Sequence, residues 1–262
     1  MKIAIIGTGN LGKSIANGLL EANVVKPTNL SLTKRHLKSL SDFKEKGVHI
    51  TSDNKQAIKD KEIVFLCVQP HKLQEVLTDI KNDLSEKLVI STITGITLKE
   101  LKKALPENVV IFRAMPNTAI AIKESMTCIA TENASDTEKE KVKQLFSVLG
   151  ETLFIDDELM GAATVLGASG IAFAMRFVRA SMQAGIEIGF ESEDAQKIAA
   201  QTIKGAVSLL LKNNSHPESE IDKVTTPLGI TITGLNKMEQ AGFSSSLTQG
   251  IKASYDKIKN VT

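Results

Sequence analysis

The chain has 262 residues, 42% apolar and 24% charged, the balance of a globular protein with room for one large domain or two modest ones. Its 32 basic and 30 acidic side chains leave a net charge of only +2, which gives no electrostatic footprint for nucleic acid. The two cysteines, Cys67 and Cys128, stand alone in predicted strands, which argues against a disulfide framework and for a reducing compartment.

The opening residues are the most informative. Lys2-Ile3-Ala4-Ile5-Ile6 reads as a buried strand, and Gly7-Thr8-Gly9-Asn10-Leu11-Gly12 follows at once. An amphipathic helix then begins, with Ile15, Leu19 and Leu20 on its apolar face. A glycine-x-glycine-x-x-glycine turn between strand and helix is the context a dinucleotide-binding fingerprint requires. Gly7 allows the tight turn, Gly9 lets an anion approach the main chain, and Gly12 lets the helix lie against the strand. The helix start, at Asn10 and Leu11, offers free N–H groups and a positive dipole end to a pyrophosphate. The competing reading is an ordinary glycine turn. The leading apolar run is too short for a secretory signal, so a cytoplasmic protein is expected.

After Pro27, residues 29–33 read as a second strand. In an NAD-binding unit an acidic residue near the end of this strand bonds the adenosine ribose. Here Thr33-Lys34-Arg35-His36 replaces it with a hydroxyl and cations. Those groups suit a 2′-phosphate, which favours NADPH, with NADH as the alternative; a solvated basic turn is the plain reading. A short strand at Val48–Thr51 leads to Ser52-Asp53-Asn54, where Asn54 reads either as a helix cap or as a contact near the adenine end of a cofactor.

The apolar run Ile63–Val68 stops at Gln69-Pro70, beyond the carboxyl end of a buried strand, where ligands of such sheets bind. Further strands are read at 88–92, 109–112, 127–131 and 152–155. Thr97 and Glu100 form a capping-box pair, and Ser135 or Asp136 starts a helix carrying Val142, Leu145, Phe146 and Leu149. Alternating strands and helices predict a doubly wound, mostly parallel sheet over residues 1–157. Residues 158–262 show almost no strand pattern and read as all helical. The uncharged stretch 159–175 is somewhat short for a membrane span, is thinned by glycines and is followed by Arg176 and Arg179. A helix at a protein–protein interface is the preferred reading.

Two more stretches carry chemistry. Val224-Thr225-Thr226-Pro227-Leu228-Gly229-Ile230-Thr231-Ile232-Thr233-Gly234 is rich in hydroxyls where a helix should begin, and could grip a small carboxylate without lysine or arginine. A capped helix start explains one or two of these hydroxyls. In Leu166-Gly167-Ala168-Ser169-Gly170-Ile171-Ala172-Phe173 the small residues permit close approach of a helix or of a ligand. The histidines His36, His49, His71 and His216 are scattered without metal-ligand spacing, so no metal site is expected.

These stretches, with Val68-Gln69-Pro70 and Arg113-Ala114-Met115-Pro116-Asn117-Thr118, resemble pyrroline-5-carboxylate reductase over essentially the whole chain. The resemblance implies a Rossmann-type dinucleotide-binding domain followed by an all-α dimerisation domain. It implies reduction of the cyclic imine 1-pyrroline-5-carboxylate to L-proline with NADPH or NADH, in a homodimer that can build larger rings such as a decamer. No membrane or nucleic-acid partner is implied. The imine-facing hydroxyl falls on Thr231. Carboxylate contacts fall on Thr226, Gly229 and Ile230, and the turn beneath the substrate on Ser169 and Gly170. Nicotinamide-side contacts fall on Val68, Gln69, Pro70, Thr94, Met115 and Asn117.

The chain departs from the family pattern at Gln69, where lysine is usual, at Ala119 and Ile171, where proline is usual, and at Leu228, where a glycine is usual. Two other readings stay open. A β-hydroxyacid dehydrogenase would place a catalytic lysine on the first long helix of the second domain, and residues 161–175 contain none. A non-catalytic NADPH-binding regulator is the third, since a fold does not fix a function.

Overall fold

The computed structural model describes residues 1–259. They form two compact units, Met1–Ser169 with residues 255–259, and Gly170–Ser254.

In the first unit β1 (Ile3–Ile6) leads through the glycine turn to α1 (Asn10–Glu21), followed by β2 (Leu30–Thr33), α2 (Ser41–Glu45), β3 (His49–Thr51) and α3 (Asn54–Ile58). Next come β4 (Ile63–Leu66), α4 (Leu73–Ile80), β5 (Leu88–Ser91), α5 (Leu98–Ala104) and β6 (Val110–Met115). β7 (Ser125–Ala130), α6 (Asp136–Ser147) and β8 (Gly150–Phe154) complete the sheet. Its order among the described residues is β3-β2-β1-β4-β5-β6-β7-β8. Ile3 pairs with Leu30 on one side and Ile63 on the other, so β1 lies centrally.

Strand alternation splits the core into two layers. Ile3, Ile5, Phe65 and Phe112 face one side with Ile15, Leu19 and Phe146. Ala4, Ile6, Val64 and Leu66 face the other with Leu77, Leu101 and Met160. Both faces are covered, which is why these strands read as unbroken apolar runs. Phe65 and Phe146 meet edge to face at 6.0 Å between ring centres.

Strands β1 to β6 are parallel, whereas β7 runs antiparallel to β6 and β8 follows β7 in parallel. The physical reason is the link between β6 and β7. It is residues 116–124, a 3-10 turn at Thr118–Ile122 ending in a left-handed Lys123. Such a link is shorter than the dozen or so residues a parallel crossover needs. The capping box at Thr97 and Glu100 is formed, and Ser135 makes a second with Glu138. Cys67, read as lying inside a strand, sits just past the end of β4, while Cys128 lies within β7.

Beyond β8, α7 (Met160–Ala163) runs into a π turn at Thr164–Ser169. Met160, Thr164 and Val165 are buried. Packing therefore keeps this stretch with the sheet and divides the chain at Ser169, where composition divides it at Asp157.

The second unit holds α8 (Gly170–Glu187), α9 (Ser192–Asn213), α10 (Pro217–Lys223), α11 (Ile230–Gln240) and most of α12 (Phe243–Lys259). α8 and α9 meet closely at Gly185, where an added Cβ would lie 3.0 Å from the Cβ of Ala195. Among its described residues only Ala195 is buried. Met175, Ile188, Leu209 and Leu211 are all more than half exposed. The run Asp157–Glu187 is long and apolar enough to cross a bilayer by length and composition alone.

Candidate active site

The glycine turn is built as a cradle. Gly7 has φ +88°, and a Cβ there would lie 2.5 Å from Val68 Cγ1. A side chain at this position meets both a backbone penalty and a clash. The Gly7 N–H donates to Thr33 Oγ1 at 3.2 Å, and the Thr8 N–H to the Thr33 carbonyl at 2.8 Å. Thr33, buried at the end of β2, thus braces the turn. At Gly12 a Cβ would lie 3.1 Å from the Gly7 carbonyl, so α1 lies directly on the turn. At Gly9 nothing lies within 4 Å of a built Cβ, which leaves open space beside the main chain. No side chain caps α1, so the first-turn N–H groups of Asn10, Leu11 and Gly12 remain available to an anion.

A cleft of about 500 Å³ opens here, beyond the carboxyl ends of β1, β2 and β4. Gly7, Gly9, Thr33, Val68 and Gln69 line its inner part, and Lys34, Arg35, His36, Ser52 and Asn54 its outer part. The helix cap in this stretch is Asp53, which accepts the Gln56 N–H at 3.0 Å. Asn54 is therefore not the cap; it lines the cleft. A cradle free of side chains at one end and basic groups at the other fit a dinucleotide bearing an extra phosphate. Pro70 opens a 3-10 turn and lines neither this cleft nor the next cavity.

Sequence reasoning missed Cys67, Lys72, Glu75 and Val76, which also line the cleft. Burial pushes the Cys67 thiol up to about 12, against a smaller opposing contribution from its hydrogen bond with Thr92. It is a neutral thiol at physiological pH and no nucleophile. Lys72 and Glu75 sit at (i, i+3) spacing around the start of α4. Only the sheet order reveals that this spot borders the loop after β2.

A second cavity of about 310 Å³ lies past β5 and β6. Leu11, Thr94, Met115, Asn117 and Ser169 contribute to it, together with Thr92 and Thr164, which the sequence did not flag. Asn117 is buried and bonded at both ends of its amide. Its Oδ1 accepts the Ala119 N–H at 3.0 Å, and its Nδ2 donates to the Gly167 carbonyl at 3.0 Å. It ties the end of β6 to the π turn carrying Ser169. Arg113, the first residue of the same motif, is buried in an ion pair with Asp157, whose other oxygen accepts the Leu98 N–H at 2.9 Å. That pair is structural.

In the second unit, the threonine-rich loop sorts its hydroxyls. Thr225 donates to the Ile221 carbonyl at 2.8 Å and Thr233 to the Gly229 carbonyl at 3.2 Å. The hydroxyls of Thr226 and Thr231 have no hydrogen-bond partner among the described residues. Gly229 is the N-cap position of α11 and gives no side-chain cap, which leaves the first-turn N–H groups of Ile230 and Thr231 available. A Cβ at Gly229 would lie 2.6 Å from Thr226 Oγ1, and its N–H is already given to the Thr226 carbonyl at 2.9 Å. Gly229 therefore contributes by lacking a side chain rather than by donating. Leu228 is fully exposed with φ +59°, a left-handed angle that favours glycine over leucine. Gly170 begins α8 directly after the π turn. Among the described residues no group of three potential metal ligands is present.

Comparison with known proteins agrees with this layout. Residues 157–261 match the family model for pyrroline-5-carboxylate reductase dimerisation. Residues 2–95 match that for coenzyme F420-dependent NADP oxidoreductases. One pyrroline-5-carboxylate reductase of Dictyostelium discoideum is 45% identical over 97% of this chain, which spans only 49% of that protein's length. A second from the same organism is 43% identical, covering 97% of this chain and 91% of the relative. A crystal structure of Plasmodium falciparum pyrroline carboxylate reductase with NADP bound superposes with a TM-score of 0.92 at 27% identity, covering 100% and 98% of the two chains. Sequence identity over nearly the full length of a relative, added to a matching fold and a dinucleotide cradle, places this chain in the pyrroline-5-carboxylate reductase family.

Proposed function

We propose that the chain reduces the C=N bond of 1-pyrroline-5-carboxylate to give L-proline, using NADPH. Family membership over nearly the whole length of a relative carries this reading. When bound, NADPH would supply the hydride to the ring carbon, and solvent the proton that the ring nitrogen gains. The cofactor set is Gly7, Gly9, Asn10, Leu11 and Gly12 at the pyrophosphate. Thr33, Lys34, Arg35 and Asn54 serve the adenosine end. Val68, Gln69, Pro70, Thr94, Met115 and Asn117 serve the nicotinamide side. Asn117 acts by holding the π turn, since its amide is already bonded at both ends.

Ser169, Gly170, Thr226, Gly229, Ile230 and Thr231 form the substrate set. The Thr226 hydroxyl and the N–H groups at the start of α11 hold the carboxylate, as helix starts hold anions. Thr231 donates a hydrogen bond to the ring nitrogen and fixes the face that receives hydride. Holding the reacting atoms at contact distance lowers the barrier by several kcal/mol, out of the ~7–11 available from ideal orientation.

The protein is a homo-oligomer. Its functional division lies near residue 157, its basic assembly is a dimer through the helical unit, and dimers join into a ring such as a decamer. The apolar run Asp157–Glu187 belongs to that interface rather than to a bilayer. Three of its residues are buried against the sheet, and Arg176 and Arg179 fall inside α8. A cytoplasmic location accords with this assignment.

A spectrophotometric assay of NADPH oxidation tests the activity. Turnover with pyrroline-5-carboxylate and none with β-hydroxyacids in the reverse direction is expected. Tight NADPH binding with no turnover on this imine or its six-membered analogue overturns the proposal in favour of a regulator.

A further inference from the structure

The cofactor cleft is basic at its outer end, with Lys34, Arg35, His36 and Lys72 in its lining, and Glu75 is the single acidic side chain among them. Glu75 Oε2 accepts a hydrogen bond from Lys72 Nζ at 2.9 Å and lies 3.6 Å from Arg35 Nη2. One carboxylate thus bridges two elements, the loop after β2 and helix α4. The pairing with Lys72 is a local (i, i+3) contact. The pairing with Arg35 reaches across the mouth of the cleft. The Lys72 hydrogen bond and charge, with Arg35 and His71 adding to them, hold the Glu75 carboxyl below the usual range, so it is anionic at neutral pH.

We propose that Glu75 is a specificity-determining residue for the cofactor, a built-in counter-ion that occupies Arg35 and narrows the preference for NADPH over NADH. This rests on the cofactor reading given above. A ribose 2′-phosphate offers Arg35 a charge-assisted, bidentate partner. A phosphate drawn to Arg35 would compete with Glu75 for it and lie near a carboxylate of like charge. A ribose 2′-hydroxyl carries no charge and leaves the Arg35–Glu75–Lys72 bridge in place. Glu75 therefore opposes NADPH and is indifferent to NADH. The Arg35 and Glu75 side chains are 67% and 64% exposed, so solvent and salt screen the effect and keep it modest.

Fluorescence titration of the full-length protein with NADPH and with NADH tests this, on the wild type, Glu75→Gln, Arg35→Met and the double variant. Thermal melts confirm that each is folded. In Glu75→Gln the affinity for NADPH should rise about three- to tenfold, as expected for one screened charge acting on a doubly charged phosphate. The affinity for NADH should change by less than about twofold. The gain should vanish in the Arg35→Met background and shrink at high salt. An unchanged or weaker affinity for NADPH overturns the proposal, as does an equal gain for both dinucleotides or a gain that survives loss of Arg35. Normal binding by the wild type with no effect of Glu75→Gln refutes only this inference. A wild type that binds neither dinucleotide removes the cofactor reading with it.

Discussion

Thr231 carries the sharpest prediction at the scale of single residues. Replacing it with alanine removes the hydroxyl assigned to the ring nitrogen and leaves the cofactor cleft, which lies in the other unit, chemically unchanged. Turnover should fall by on the order of 10²-fold, typical for loss of one positioned donor, while NADPH affinity holds. Unchanged single-turnover rates would remove Thr231 from the chemistry. Leu228 makes a second case. Its left-handed angle costs a non-glycine residue about 1–2 kcal/mol, and its exposed side chain gains nothing in return within the chain. Leu228→Gly should therefore stabilise the protein by up to about 1 kcal/mol in urea unfolding, after the entropy glycine adds to the unfolded chain. A loss of stability instead would mean that another copy covers the leucine. Cys67 fixes a pH dependence. Its thiol is raised to about 12 in the folded protein from an ordinary value of 9.0, so folding favours the protonated form. That contribution is complete below the ordinary value and drains away as pH rises from there towards 12. Cys67→Ser should flatten the fall in stability above pH 9, as followed by urea unfolding across that range.

At the scale of elements, the join between β6 and the π turn rests on one side chain. A π turn is uncommon and needs external support. Asn117 provides it by donating to the Gly167 carbonyl. Asn117→Asp keeps the size and the acceptor but faces a carbonyl with a carboxylate oxygen. Leaving that half-buried carbonyl unsatisfied should cost on the order of 1 kcal/mol. Imine KM should rise more than NADPH Kd, because Ser169 lies at the end of the same turn. Equal changes in both would reduce Asn117 to a general support of the fold. The elements also show how far local pattern reaches. The Thr97–Glu100 capping box is legible because both partners lie within one turn. The reversal of β7 was not read, although the short link before it already ruled out a parallel crossover.

For the molecule as a whole, the helical unit sets the terms. It has apolar side chains on several helices and one buried residue, so it cannot be stable through its own core. Association must supply the missing burial. The melting temperature should therefore rise with protein concentration, as mass action requires for an obligate oligomer, and light scattering should show no monomer at micromolar concentration. A concentration-independent melt with a monomeric mass would overturn the assembly proposed here. The same feature accords with the uncharged run at 159–175, whose composition favours an interface helix over a membrane span.

The sequence by itself determined whatever is written in short-range pattern. Buried strands appear as apolar runs, the glycine turn as a fixed spacing between strand and helix, and the helix starts as paired hydroxyl and carboxylate. The hydroxyl-rich loop before α11 was visible for the same reason, since its composition is local. The tertiary structure alone decided which of those groups are free to act. It showed that Thr225 and Thr233 are spent on their own backbone while Thr226 and Thr231 are not. It gave the helix cap to Asp53 and the cleft to Asn54, turned Asn117 into a strut, and set Glu75 against Arg35. The Asn117 and Glu75 contacts join residues far apart in the chain, and sheet order, not periodicity, fixes that distance. The threonine and Asp53 bonds are local, but they follow from the backbone angles of the turn, which composition does not specify.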